Sequence, residues 1–262
     1  MMTFLIALSL LFLYMSAAFV VAVRRFDNGI ADSVYGGGFV LVAWTTYVLG
    51  FHSISGLIVS LLVSIWALRL SVRIIKRNWN KPEDFRYAQW REEWGTKVVS
   101  RSFLQIFMLQ GAIIYLVSLP VMLLNVFGQE LGFGLLGGVG LLLWITGFVF
   151  EAVGDRQLEL FGREPENAGR IMQSGLWKYT RHPNYFGESC LWWGISLVAF
   201  DTLLYVTPLP LALLVFIGPA LITYLLLKVS GVPLLEARLA KNPDWEAYKN
   251  KTSVFFPLPP RK

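Results

Sequence analysis

Seven apolar runs, each about as long as a bilayer core demands, recur from one end of the chain to the other. They cover Thr3 to Val23, Val34 to Phe51, Ile54 to Ile75, Phe103 to Phe127, Phe133 to Val153, Glu188 to Leu204 and Leu209 to Leu227. A spanning helix needs roughly 20 mostly apolar residues, and in lipid its backbone polar groups must pair within the segment. The expected fold class is therefore all-α: a polytopic membrane bundle of seven transmembrane helices, with the cytosolic loops forming any cofactor site. Charged residues make up only 15% of the 262 positions and hydrophobic ones 55%, against about 25% charged in soluble chains. The runs recur without a linker, which predicts a single domain over 1–262. The first run lacks a basic leader and is followed by further spans, so it reads as the first membrane helix and not as a signal peptide.

Charge sets the expected topology. Segments 24–32, 76–101, 154–187 and 228–262 hold 2, 7, 5 and 7 Lys or Arg, and the turns near 50–54, 125–132 and 201–208 hold none. The strict alternation puts the basic segments in the cytosol and the amino terminus outside. A multi-pass protein of a bacterial inner membrane is the expected setting. The net charge of +6 lies beside the spans, which points to anionic lipid headgroups or a phosphate-bearing ligand and not to nucleic acid. Glycines at 36–38 and at 132, 134, 137, 138 and 140 allow close helix contacts, and Gly134 to Gly138 has a small-xxx-small spacing.

Several charges fall where a bilayer tolerates them poorly. Arg69 and Arg73 lie one turn apart in the third run; Arg73 is near enough to the boundary to snorkel, whereas Arg69 is deeper and suits a buried pair or a ligand. Glu151 and Glu188 stand at cytosolic ends of spans, where each can pair with an arginine or meet an amide. Asp32 opens the second run as a candidate helix cap, and His52 sits in an outer turn as a surface residue. Cys190 is the one cysteine, which excludes an internal disulfide, and His182 has no Cys/His cluster for a metal. Phosphate-binding, dinucleotide-binding, esterase and metalloprotease motifs of soluble enzymes are absent. The cytosolic ends must then hold any cofactor themselves. Arg156, Arg163, Arg170, Lys178 and Arg181 can neutralise phosphate, and Trp177, Tyr179 and Tyr185 offer ring faces. If the sixth helix begins near Pro183, Asn184 and Glu188 lie i,i+4 on one face. Interfacial anchoring by the same aromatic and basic residues is the alternative.

The run GlyLeuTrpLysTyrThrArgHisProAsnTyrPheGlyGlu, residues 175 to 188, resembles the signature of the DUF1295 family within the steroid 5-alpha-reductase and isoprenylcysteine methyltransferase superfamily. ArgLeuSerValArg at 69–73, GluAspPheArgTyr at 83–87, Asp32 with Gly36, and the tail at 236–248 extend the likeness over nearly the whole chain. The resemblance implies a seven-helix enzyme that binds NADPH in its cytosolic loops and reduces a 3-oxo-Δ4-steroid or similar lipophilic enone entering from the bilayer. It implies that Asp155, Arg163 and Arg170 address the adenosine and phosphates, and that Asn184 and Glu188 lie near the nicotinamide. It gives Tyr179, Arg181, His182 and Tyr185 to the same site, and has Glu236, Trp245 and Tyr248 close on the cofactor. The chain departs from the family's substrate site: the second span has no Gln-Glu pair, and the position matching the substrate tyrosine falls near Trp66. Candidates for the group that polarises the carbonyl are therefore Tyr35, Tyr87 and Glu83, with Arg69 as an electrostatic helper. An S-adenosylmethionine-dependent methyltransferase of an isoprenylcysteine or lipid amine is the principal alternative. A transporter or lipid-binding protein is a third class.

Overall fold

The computed structural model describes residues 1–129 and 134–261. Among these the chain is helical, with one isolated parallel bridge between Thr180 and Ser253. Gly132 and Phe133, named above, lie outside the described residues. Six helical stretches have the length and apolar character to cross a membrane: Met2–Arg25, Ile54–Asn78, Phe85–Val117, Leu135–Arg163, Pro183–Val206 and Leu209–Leu239. The second expected span falls on a helix that is not among them. Contacts divide the chain into two units, Met1–Gly134 with Ala199–Ile217, and Leu135–Val198 with Gly218–Lys262.

In the first unit, α1 (Met2–Arg25) buries a narrow stripe, Ala7, Leu11, Met15, Ala18 and Ala22, at a spacing of three or four. Leu5, Leu8, Phe12 and Leu13 remain exposed, as a lipid-facing helix requires. The second expected span is α2 (Ile30–Val48). Asp32, three glycines and the Trp44 to Tyr47 run dilute its hydropathy, yet it packs on α1, α3 (Ile54–Asn78), α6 (Leu109–Val117) and α7 (Leu119–Phe127). A Cβ on Gly36 would lie 2.5 Å from the Ala67 carbonyl oxygen, so the backbones of α2 and α3 approach closely there. The expected count of seven thus resolves into six helices with membrane-crossing hydropathy and α2, which lacks it. At the far end of α2, buried Asn125 donates to the Ala43 carbonyl, Thr46 and Ser60, and its own carbonyl accepts from Phe51 N.

The Phe85–Val117 stretch is not one rod. Helix α4 (Phe85–Trp94) starts at Asp84, whose carboxylate accepts from Arg86 N, and ends at Gly95 with φ 48° and ψ −121°. That conformation is open to glycine and strained for a residue with a Cβ. On a straight helix Tyr87 and Gln110 would stand about 34 Å apart at 1.5 Å per residue. Instead both reach the same oxygen of Asp32, at 2.7 and 3.2 Å, so α4 turns back on the helical segment that follows it. That segment continues through α5 (Val98–Arg101) and a π-helical stretch, Ser102–Met108, into α6. The fourth expected span, Phe103 to Phe127, is interrupted at Ser118, because Pro120 has no N–H to continue the ladder.

In the second unit α8 (Leu135–Arg163) runs well past the expected loop boundary at residue 154. Nothing breaks the helix before Pro165, and the pairs Arg156–Glu159 and Arg163–Glu159 suit its i,i+3 and i,i+4 spacing. Helix α8 meets α9 (Pro183–Val206) along a glycine seam. A Cβ on Gly140 would lie 2.6 Å from the Gly194 carbonyl, and one on Gly147 2.5 Å from both the Gly187 carbonyl and Leu191 N. Pro183 closes against Gly154 at the end of the seam where α9 begins. The seam repeats every seven residues on both helices, whereas a methyl added at Gly138, singled out above, would meet no atom within 4 Å. The last expected span is composite: α10 (Leu209–Leu213), a 3₁₀ turn at Leu214–Phe216, α11 (Ile217–Tyr224) and a π-helical stretch at Leu225–Val229. The tail adds α12 (Val232–Leu239) and α13 (Trp245–Lys251).

Candidate functional site

The second unit builds a site where the chain enters α9. Pro183 occupies the first helical position, where its missing N–H costs nothing. The strand-like approach is held by the tail: Arg181 N donates to the Ser253 carbonyl at 2.8 Å, Thr180 Oγ1 to the Phe255 carbonyl at 2.8 Å, and Leu258 N to the Tyr179 carbonyl at 3.0 Å. From the other side, Trp177 Nε1 donates to the Gly154 carbonyl, and Leu176 N donates to Gln157 Oε1. Gly175, at φ 60° with Gln157 packed where a Cβ would project, permits that staple.

Arg181 is 8% exposed. Its Nε donates to Glu236 Oε1 at 2.9 Å, Nη1 donates to the carbonyls of Lys249 and Thr252, and the guanidinium lies 5.5 Å over the Trp245 ring. His182 is fully buried, stacks on Tyr185, and places Nε2 3.0 Å from the same Glu236 oxygen. Burial pushes the His182 pKa down and Arg181 adds to this; the bond and charge of Glu236 oppose it without reversing it. The neutral ring must carry its proton on Nε2 to meet the carboxylate, which leaves Nδ1 as an acceptor. That buried Nδ1 has no partner, and neither does the buried Oδ1 of Asn184. Asn184 Nδ2 donates to Asp155 Oδ1 at 3.2 Å.

The structure therefore brings Arg181, His182, Glu236, Asn184, Asp155 and Tyr185 into one neighbourhood. Glu188 follows Asn184 by one turn of α9. Trp245 and Tyr248 are buried, and Tyr248 donates to the Trp177 carbonyl at 2.6 Å, so both act in holding the loop. Burial raises the pKa of Tyr248. Arg163, Arg170 and Tyr179 are exposed, and Arg163 pairs with Glu159.

The first unit holds a separate polar cluster. Asp32 lies inside the first turn of α2, and the residue before that helix, Gly29, gives no side-chain cap. Its carboxylate accepts from Tyr87 Oη at 2.7 Å and Gln110 Nε2 at 3.2 Å on Oδ1, and from Arg86 Nη2 at 3.2 Å on Oδ2. The cap reading of Asp32 gives way to this role: the helix end favours negative charge there, and three side chains converge on it. Arg86 also pairs with Asp84. Burial alone raises the Asp84 pKa, but the hydrogen bonds and charge of Arg86 hold it below the usual range. Glu83 accepts from Arg91 and from Asn28 N, which ties both of its oxygens. Tyr35 packs edge-on against Phe39, and Arg69 lies half-buried on α3. His52 is exposed, in accord with a surface residue.

Six membrane-length apolar helices and these charged ends define an integral membrane protein. The sequence profile of the DUF1295 family, described as proteins of unknown function, matches residues 18–252, and the chain belongs to that family. An uncharacterized protein of Schizosaccharomyces pombe is 24% identical over 238 residues, which cover 80% of this chain and 66% of that protein. The chain thus spans just under two thirds of the relative's length. No solved structure matches it significantly.

Proposed function

We propose that this protein is an NADPH-dependent reductase of a lipophilic enone, related to the steroid 5-alpha-reductase superfamily. The observation that carries the reading is the pair of buried acceptors at the start of α9, His182 Nδ1 and Asn184 Oδ1, each lacking a donor. A buried acceptor left unmade costs about 1–3 kcal/mol, and a carboxamide, with two N–H groups, is the kind of ligand that relieves it. Arg156, Arg163 and Arg170, exposed near the same loop, suit the phosphates of a dinucleotide. When bound, NADPH supplies a hydride for the β-carbon of the enone. Tyr87 is the group proposed to meet the carbonyl oxygen, where negative charge develops. A tyrosine hydroxyl is ordinarily protonated at neutral pH, and it can turn from Asp32 to the substrate because Arg86 and Gln110 continue to hold that carboxylate. Asp32 and Tyr87 together thus stand in for the carboxylate and tyrosine of the family's substrate site. In this reading α2 is a seventh crossing, sheltered from lipid by its neighbours, and the four basic segments lie in the cytosol.

The same acceptors suit the ammonium of S-adenosylmethionine, so the test carries both ligands. Detergent-purified protein is titrated with NADPH and with S-adenosylmethionine, and the titrations are repeated with Asn184→Leu. Saturable NADPH binding, weakened about tenfold or more in the variant, is expected. S-adenosylmethionine binding without NADPH binding would overturn the reductase reading in favour of methyl transfer.

A further inference from the structure

Gln110 is the member of the Asp32 cluster whose geometry is incomplete. Its Nε2 donates to Asp32 Oδ1, and its Oε1 is buried with no partner. The amide cannot relieve this by flipping. A carboxylate only accepts, so Nε2 must face Asp32, and Oε1 is fixed on the far side. Tyr87 hangs on the same Asp32 oxygen at 2.7 Å, so the Tyr87 hydroxyl and the Gln110 amide are brought together on one carboxylate oxygen. The fold goes to some length for this juxtaposition. Gly95 turns α4 back, and the π-helical Ser102–Met108 stretch stands immediately before α6, which carries Gln110; π turns are often retained at functional sites.

We propose that Gln110 is a specificity-determining residue, and that the lipophilic substrate carries a hydrogen-bond donor, a hydroxyl or N–H, next to the carbonyl that Tyr87 contacts. This rests on the reductase reading. A simple ketone fills the donor at Tyr87 and leaves Gln110 Oε1 without a partner; a hydroxyketone fills both. The ligand is recognised as an acceptor and a donor side by side on an apolar frame.

The matched probes are androstenedione and its 4-hydroxy derivative, which differ by one hydroxyl beside the 3-oxo group. Binding is followed by quenching of the intrinsic tryptophan fluorescence in detergent, without turnover. The native protein is expected to bind the hydroxy compound about tenfold more tightly. Gln110→Met, of similar size and without an acceptor oxygen, is expected to abolish that preference; its lost donor to Asp32 bears on both steroids alike, so the ratio of the two affinities is the readout. Equal affinity of the native protein for the two steroids, or a preference that survives in Gln110→Met, overturns the inference and leaves the reductase reading standing. The native comparison does so even if the variant fails to fold. Saturable binding of NADPH with no binding of either steroid overturns the enone site itself and the inference with it.

Discussion

Replacing Gly147 by alanine tests how tightly the second unit is closed. The added Cβ would lie 2.5 Å from the Gly187 carbonyl oxygen and from Leu191 N, and 2.9 Å from the Cys190 Cβ. Comfortable separations are about 3.5–4.0 Å. Two of these atoms are backbone and cannot rotate away, so α8 and α9 must part by about 1 Å. A gap of that size forfeits a quarter to a half of each dispersion contact along the seam, and overpacking of this kind costs about 1–3 kcal/mol. Alanine returns up to about 1 kcal/mol through helix propensity, so the net loss is on the order of 1–2 kcal/mol. The single cysteine provides the assay: a thiol-reactive dye reports when Cys190, partly buried in the folded protein, becomes fully accessible on heating. Gly138→Ala, on the same helix with open space at the new methyl, is the control and should be neutral or slightly stabilising. Equal melting of Gly147→Ala and Gly138→Ala would refute the close approach of the two helices.

Three further outcomes follow from the same geometry. Tyr248→Phe removes the donor to the Trp177 carbonyl and should cost about 1–3 kcal/mol in thermal unfolding; a melting temperature unchanged within error would show that the bond is not formed. His182 has a folded pKa depressed by burial against the bond to Glu236, so its stabilisation is complete above the ordinary value near 6.5 and is lost as pH falls from there through the folded pKa. Native protein should therefore lose more stability between pH 7 and pH 5 than His182→Gln, and parallel curves would contradict this. Gly95→Ala meets no steric obstacle but sits at φ 48°, so about 1–3 kcal/mol of backbone strain is expected; undiminished stability on denaturation would show that the turn relaxes without cost.

The membrane helices are legible in the sequence because hydropathy is local. Where α8 ends is not, since residues 154 to 163 are polar enough to read as a loop while their Arg–Glu spacing supports a helix. The reversal at Gly95 is a single backbone conformation with no composition signal beyond one glycine. Asp32 reads as a cap because its neighbours in sequence suggest one; its partners Arg86, Tyr87 and Gln110 lie 54, 55 and 78 positions away. The dense 175 to 188 run does mark the α9 entrance as a place of crowded polar contacts, and the i,i+4 relation of Asn184 and Glu188 follows from a helix that starts at Pro183. What spacing cannot reveal is that Arg181, expected at a phosphate, gives its donors to Glu236 and to two tail carbonyls. The glycine period of seven is present in the sequence at 140, 147 and 154 and at 187 and 194, but only the facing helix shows which glycines matter.

The tie between Arg181 and the carbonyls of Lys249 and Thr252 imposes an order on biogenesis. Chains emerge amino-terminal end first, at about 5–20 residues per second, so α9 leaves the ribosome several seconds before its acceptors exist. Glu236 is made earlier and can supply the counter-charge, but until the two carbonyls follow, Nη1 lacks the acceptors it has in the finished fold. The entrance to α9 is consequently among the last parts of the molecule to mature, and a nascent chain arrested before residue 249 carries its hairpin of α8 and α9 without a finished site.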